Sequence, residues 1–384
     1  MAKADAYGFG ITEVANVAED IVDAFGVVTL QEAERLREVG IDKDILLCAC
    51  ACEELKKACD LNVIIAVHDI EQVNALLSLA KGGYIDPQKV RLHIKVDSGM
   101  HRLGFDIDGV KNAVRTLKNY GFCVEGVYSH LRDGTQNQKH VFDECIKAVK
   151  EVYPSAIAHL ASTHSMYNEA LRYDAVRLGI GAYTGAMSVY SQVIESRFVG
   201  KGEIVSYGDY VLPNDTNTAV IFGGYADGVC RENPSDVYIS GRACKVIGNV
   251  CMDTFVVDTG EYLSSVGEEV VLLDGKSVQT VAKQRNTIEY TVYTSFKGRV
   301  QRYYKRNGQE IGEKDSQDKY IQTFCPSKRV GKRCDCRRDK RSRIIQARTQ
   351  SFHIFGYGNR TRHARNCRAC AYGGKSSLRA EGAR

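Results

Sequence analysis

The sequence predicts a parallel α/β architecture followed by a β-rich unit. Strand-like and helix-like runs alternate regularly over residues 27 to 185, and the helix-period segments drop out from about Ile194 onward. Glycines at Gly208, Gly224, Gly228, Gly241 and Gly248 then punctuate short β runs.

In the first part the strand candidates are Val27 to Leu30, Ile45 to Cys50, Val63 to Val67, Arg91 to Val96, Cys123 to His130, Ile157 to Ala161 and Val176 to Tyr183. Between them, Leu30, Ala33, Leu36 and Val39 form an apolar helical face, as do Val73, Leu76, Leu77 and Ala80. Such alternation argues for parallel βαβ units, hence a doubly wound sheet or a (β/α)8 barrel. In the second part Ala219 to Phe222, Val237 to Ser240, Cys244 to Val250, Phe255 to Asp258 and Glu269 to Leu273 read as a mostly antiparallel β-domain.

The chain of 384 residues is long enough for two domains with separate cores. No stretch approaches the roughly 18 apolar residues that span a bilayer, and no secretory signal is visible. The fourteen cysteines are therefore expected to be reduced, with Cys48, Cys50 and Cys52 alternating on one strand as small buried hydrophobes. A cytoplasmic location without membrane contact follows as an expectation.

Charge divides the chain. From Lys319 to the end there are 18 Lys and Arg against 3 Asp and Glu, while the whole carries +5, so the body before that point is net acidic. The segment 309–384 lacks apolar periodicity and reads as a basic, disordered tail foreign to the rest, with no specific nucleic-acid binding expected. Its Cys334, Cys336, Cys367, Cys370 and His363 offer metal-ligating atoms, but only Cys367 and Cys370 have a common metal spacing, and no metal site is expected.

Eight ordered motifs carry the chemistry. The first is Lys3-Ala-Asp-Ala-Tyr7-Gly-Phe-Gly10, in which an amine able to condense with an aldehyde stands near a phenol and flexible glycines. Lys95-Val-Asp-Ser-Gly-Met-His-Arg102-Leu-Gly follows, then Ser129-His130-Leu131, His159 to Thr163, Arg177-Leu-Gly179-Ile180 and Gly202 to Gly208 around Tyr207. Gly224-Tyr225-Ala-Asp-Gly228 with Cys251-Met252-Asp253, and Ile288-Glu-Tyr290 with Arg299 to Arg302, complete the series. Together they resemble the fold-type III pyridoxal-phosphate enzymes, most closely the alanine racemase family, over nearly all of residues 3 to 302.

That resemblance implies a TIM-type (β/α)8 barrel over 1–192, with most of its first strand missing before Lys3, and a C-terminal β-domain over 193–308. It implies pyridoxal 5'-phosphate as cofactor and two-base racemisation of L- and D-alanine, supplying D-alanine for peptidoglycan. Lys3 and Tyr207 are the expected catalytic pair, one on each face of the substrate, with Tyr207 acting across a homodimer. Tyr7, Arg102, His130, Ser162, Thr163, Arg177, Gly179, Ile180 and Tyr290 are the expected cofactor contacts. Arg102, Tyr225, Met252 and Asp253 would meet the substrate. Lys95 matches a lysine that is carbamylated in many members. Arg177, permanently charged, would face the pyridine nitrogen and keep it unprotonated, which favours racemisation over transamination. Two positions depart from the pattern: Ser162-Thr163 replaces Asn-Ser, and Leu178 replaces a proline. Alternatives are a racemase for serine or another small amino acid, a non-catalytic cofactor-binding protein, and an inactive truncated product.

Overall fold

The computed structural model describes residues 1–132, 136–296, 298–306 and 309–311. Of the basic tail expected over 309–384, Gln309–Ile311 form a strand paired with Tyr304–Arg306, and residues 312–384, with the tail's cysteines, lie outside the described residues. Seven strands form one parallel sheet in sequence order: β1 (Ala24–Val27), β2 (Asp44–Leu47), β3 (Ile64–Val67), β4 (Arg91–Lys95), β5 (Cys123–Tyr128), β6 (Ile157–Ser162) and β7 (Ala175–Arg177). The right-handed helices α1 (Ile11–Ala18), α2 (Leu30–Glu38), α3 (Leu55–Asp60), α4 (Ile70–Lys81), α5 (Ile107–Asn119) and α6 (Gln136–Val152) connect and cover them.

Local chemistry sets these boundaries. The Thr29 hydroxyl accepts from the Glu32 amide while the Glu32 carboxylate accepts from the Thr29 amide, a capping box that starts α2. Asp69 and Asp106 cap α4 and α5 by accepting from the amides of Gln72 and Gly109. Val110, Ala113, Val114 and Leu117 then bury one stripe of α5 against the outer face of the sheet.

The inner face is different. Leu92 and Ile94 of β4 pack toward the helices, which turns Arg91, His93 and Lys95 into the barrel. Arg91 is clamped there between Asp44 of β2 and Glu125 of β5.

The seam between β1 and β7 is narrower than the sequence suggests. The Ala2 amide donates to Gly26 O at 2.7 Å, the Met1 amino group donates to Leu178 O at 2.7 Å, and the Tyr183 hydroxyl donates to Met1 O at 2.8 Å. Two residues thus bond to both sides of the gap, and the barrel is near-closed.

The second unit is a closed antiparallel barrel of β8 (Val189–Val199), β9 (Thr216–Phe222), β10 (Val237–Ile239), β11 (Arg242–Ile247), β12 (Thr254–Gly260) and β13 (Glu269–Leu273), in the order β10-β11-β12-β9-β8-β13. Closure leaves no free strand edge. Helices α7 (Val278–Gln284) and α8 (Glu289–Ser295) follow, then a ladder of β14 (Tyr304–Arg306) and β15 (Gln309–Ile311). Two large apolar cores result, one per unit, and both include Phe9 and Tyr290 at their margins.

Three local expectations need correction. β1 lies at Ala24–Val27 rather than 27–30, because Thr29 is committed to the α2 cap. Val39 ends α2 exposed instead of buried. Cys48, Cys50 and Cys52 follow β2 rather than alternating along it, and only Cys50 is buried. Among the described residues, no helix is long and apolar enough to cross a membrane.

Candidate active site

Lys3 opens an unusual turn. Ala4, Asp5, Ala6 and Tyr7 all have φ between 52 and 57°, so this segment is a turn of left-handed helix built from residues other than glycine. Each such residue is disfavoured by roughly 1–2 kcal/mol, so neighbouring contacts must hold the turn. Asp5 supplies most of them: its carboxylate accepts from the Ile11 amide (2.9 Å) and from Arg302 (2.6 Å), and it pairs more loosely with Arg35 (3.4 Å). The Asp5 amide donates to Glu32 at 3.3 Å. The turn places Lys3 and Tyr7 at the end of the barrel where β1 to β7 finish, the face on which barrel enzymes carry their sites.

At one side of this face, two amides converge on a hydroxyl. Thr163 Oγ1 accepts from Gly179 N (2.9 Å) and Gly181 N (3.3 Å) at the start of a short 3-10 turn, Ile180–Ala182. A Cβ on Gly179 would come within 2.9 Å of the Tyr7 hydroxyl, and one on Gly181 within 2.6 Å of Thr163 Cγ2. Glycine is needed at both positions because the backbone approaches too closely for a side chain. The Tyr7 ring packs against Tyr183 (5.0 Å) and Tyr290 (5.8 Å), so three phenols gather beside the converging amides. Ser162 keeps its amide on Ser165 Oγ (2.9 Å).

The opposite side is cationic. Lys95 is buried, its Nζ donating to Val96 O (3.2 Å) and lying 5.0 Å from the centre of the Tyr128 ring. Burial first, then the charges of Arg177 and Arg102, lower its pKa to about 7. His130 is lowered to about 4 by burial, then by Arg177, Lys95, Arg102 and Lys3, so the sequence-predicted cations do share one neighbourhood. Arg102 is exposed on a loop that Asp97 braces by accepting from the amides of Gly99, Met100 and His101 (2.9–3.0 Å).

Arg177 is held from below. Nη1 donates to His159 Nδ1 (2.6 Å) and His159 O (2.9 Å), and Nη2 donates to Ser129 O (2.6 Å) and Leu160 O (3.1 Å). The Nε–H is left without a partner among the described residues. His159 stacks on Tyr128 at 4.9 Å, nearly parallel, and meets His93 at 3.0 Å. The motif reading did not single out His93. The signal was present, because Arg91, His93 and Lys95 recur at the two-residue period of one strand face.

The remaining predicted residues sit elsewhere. Tyr207 is 69% exposed on the β-domain, its carbonyl accepting from the Asn249 amide. Beside it, Ser206 reaches Asn249 O and Cys251 Sγ, the Tyr225 amide donates to Cys251 O, and the Ala226 amide donates to Met252 O. Tyr225 and Met252 are 42% and 52% exposed. Asp253 pairs with Arg299, which also reaches Asp227. The predicted residues therefore fall into two groups: a half-buried one around Lys3 and Arg177, and an exposed one around Tyr207. Among the described residues, no contact joins Tyr207 to Lys3 within one chain.

The model of the alanine racemase N-terminal domain matches residues 1–186, and that of the alanine racemase C-terminal domain matches residues 186–304. An alanine racemase of Streptococcus pyogenes serotype M6 is 32% identical over 332 residues, covering 79% of this chain and 89% of the relative. One from Thermodesulfovibrio yellowstonii is 34% identical over 331 residues, covering 79% and 88%. Among solved structures, the alanine racemase of Bacillus anthracis with bound L-Ala-P has a TM-score of 0.73 at 27% identity, covering 81% of this chain and 89% of that one. With both domain models matched in order and with relatives of this similarity, the chain belongs to the alanine racemase family and is an amino-acid racemase.

Proposed function

We propose that the protein interconverts L- and D-alanine with pyridoxal 5'-phosphate, as a homodimer whose sites each draw on two chains, and that it supplies D-alanine for peptidoglycan in the cytoplasm. The observation that carries the reading is the pairing of Lys3 with a cradle suited to this cofactor. The Thr163 hydroxyl, which accepts from the Gly179 and Gly181 amides and so turns its own O–H outward, suits a phosphate beside Tyr7 and Tyr290, and the free Nε–H of Arg177 suits a ring nitrogen that must stay unprotonated. When bound, the cofactor withdraws electrons from a captured amino acid and acidifies its Cα–H.

The chain supplies the rest. Lys3 Nζ takes or returns the Cα proton on one face, and Tyr207 of the partner subunit does so on the other. Its 69% exposure in the single chain supports that arrangement, since a catalytic phenol needs a surrounding that only a second copy provides. Arg102, on its braced loop, orients the substrate carboxylate together with Met252 of the partner subunit. His130 stays neutral at working pH, so it can accept or donate a hydrogen bond without adding charge. Lys95, lowered to about 7, is partly neutral there and can add CO2 to become an anion beside Arg102. The Thr163 hydroxyl is turned to the Gly179 and Gly181 amides, so the departure at Ser162-Thr163 acts at the phosphate end.

The test is complementation between two dead variants. Lys3→Ala loses borohydride-trapped cofactor, and Tyr207→Phe keeps it while racemisation falls about 10²–10⁴-fold. Well-exchanged mixtures recover activity, because a mixed dimer holds one intact site. No recovery refutes the shared site, and trapping on another lysine refutes the role of Lys3. Rates on L-alanine and L-serine decide the substrate.

A further inference from the structure

A directed hydrogen-bond chain runs from the cofactor face into the barrel interior, and its proton positions follow from its first donor. An arginine can only donate, so His159 Nδ1, 2.6 Å from Arg177 Nη1, must be the unprotonated nitrogen. In a neutral ring the proton then sits on Nε2, which meets His93 Nδ1 at 3.0 Å, so His93 Nδ1 must also accept. Both rings are therefore neutral, with their protons on Nε2. Both are buried, 3% and 4% exposed, and burial ahead of nearby arginine charge pushes each far below the usual histidine range. The groups facing His93 are accounted for: Arg91 and Arg177 disfavour its charge, and Asp44 only partly opposes them.

The sheet makes room for this arrangement. His93 and Gly126 are partners across β4 and β5, and a Cβ on Gly126 would lie 2.6 Å from His93 Cε1 and Nε2. Only glycine leaves the His93 ring where it is. The stacked Tyr128 ring closes the other side of His159.

We propose that His93 is a positioning residue for the racemase reaction: by accepting the His159 Nε2–H, it keeps the His159 Nδ1 lone pair on Arg177 and so fixes the arginine that faces the cofactor ring. Without His93, a buried N–H is left unpaired, and a half-turn of the imidazole relieves it at the expense of the Arg177 contact. A loosened Arg177 no longer governs the ring nitrogen, and a larger share of turnovers ends in transamination, where the amino acid leaves as its keto acid and the cofactor keeps the amino group. This proposal rests on the functional reading above.

The experiment uses the full chain labelled with ¹⁵N in its nine histidines, without cofactor for the tautomers and with it for the reaction. Long-range ¹H–¹⁵N spectra, assigned by single His→Gln substitutions, should show His159 and His93 neutral with the proton on Nε2. His93→Leu should lose the hydrogen-bonded His159 Nε2–H signal and raise the transaminating fraction above that of the parent, with KM for alanine little changed. His93→Gln offers an amide oxygen in the same place and should restore both readouts. Gly126→Ala perturbs the ring from the other side without removing a polar group, and should shift the same His159 signals. A wild-type His159 protonated on Nδ1 overturns the proposal. So do unchanged His159 signals in a folded His93→Leu protein or, should that variant not fold, in Gly126→Ala. Failure of the wild type to bind pyridoxal phosphate would sink the functional reading instead, leaving the tautomer result standing.

Discussion

The left-handed turn after Lys3 predicts that inserting glycine stabilises this protein, the reverse of the ordinary outcome. Ala4 sits at φ 55°, ψ 49° with its side chain exposed. Replacing it removes a penalty of roughly 1–2 kcal/mol for an L-residue in that conformation. The added freedom of the unfolded chain costs about 0.5–1 kcal/mol. The balance is a gain of about 0.5–1 kcal/mol, or a rise of about 1–2 °C in Tm for a chain of this size. Ala6 has the same backbone but is fully buried. Loss of its methyl costs about 0.8 kcal/mol, so Ala6→Gly should leave stability almost unchanged. Ala75 in the right-handed α4 is the control, and Ala75→Gly should lower stability by about 1 kcal/mol. The assay is thermal and guanidinium unfolding of the three variants beside the parent. An Ala4→Gly protein destabilised as much as Ala75→Gly would falsify the claim that the turn is strained and held from outside.

Further outcomes follow from the same structure. Asp5→Ala removes two close charge-assisted contacts, each worth about 1.5–3 kcal/mol before discounting for partial exposure, so Tm should fall by several degrees and borohydride-trapped cofactor should decrease; an unchanged Tm and full trapping would show that Asp5 does not hold the turn. His93 and His130, lowered to about 3 and about 4, bind protons less readily folded than unfolded, so stability should fall as pH drops from about 6.5 toward 4. His130→Asn should flatten that slope in pH-dependent denaturant titrations, and an identical slope would remove His130 from the account. Lys95, lowered to about 7, should make stability rise with pH from about 7 to 10.5. In bicarbonate the chain should gain the mass of CO2 at this residue; a Lys95→Met protein that gains it equally would place the adduct elsewhere.

Much of this molecule is legible before folding, and the gaps have physical reasons. The barrel strands appear as apolar runs because parallel strands are buried on both sides, yet β1 is displaced because the run Val27 to Leu30 crosses from strand into helix cap without a polarity change. β8 is hidden by Ser191, Gln192, Glu195, Ser196 and Arg197, polar residues on a strand that buries only part of each face. The site motifs are readable because their spacing is preserved along the chain. Their division into a half-buried and an exposed group is not readable, since exposure depends on which unit carries each motif. The left-handed turn leaves only Gly8 and Gly10 as a trace, because Ala-Asp-Ala favours a right-handed helix on local propensity. His93 belongs to no motif, and its role depends on partners on β5 and β6 that come together only in the barrel.

The aromatic cluster beside the converging amides also sets a timetable. Tyr7, Phe9 and Tyr183 come from the barrel, whereas Tyr290 and Tyr293 arrive on α8, with Phe9 to Tyr183 at 5.0 Å and Phe9 to Tyr293 at 5.1 Å. The barrel's share of this cluster is complete at Tyr183, and Tyr290 follows about 107 residues later, which a ribosome adds in roughly 5–21 s. Through that interval the nascent barrel lacks the Tyr290 side of the cluster. If, as proposed, the cofactor binds here, its capture waits on complete synthesis, and interrupted chains lack the ligand that would stabilise them.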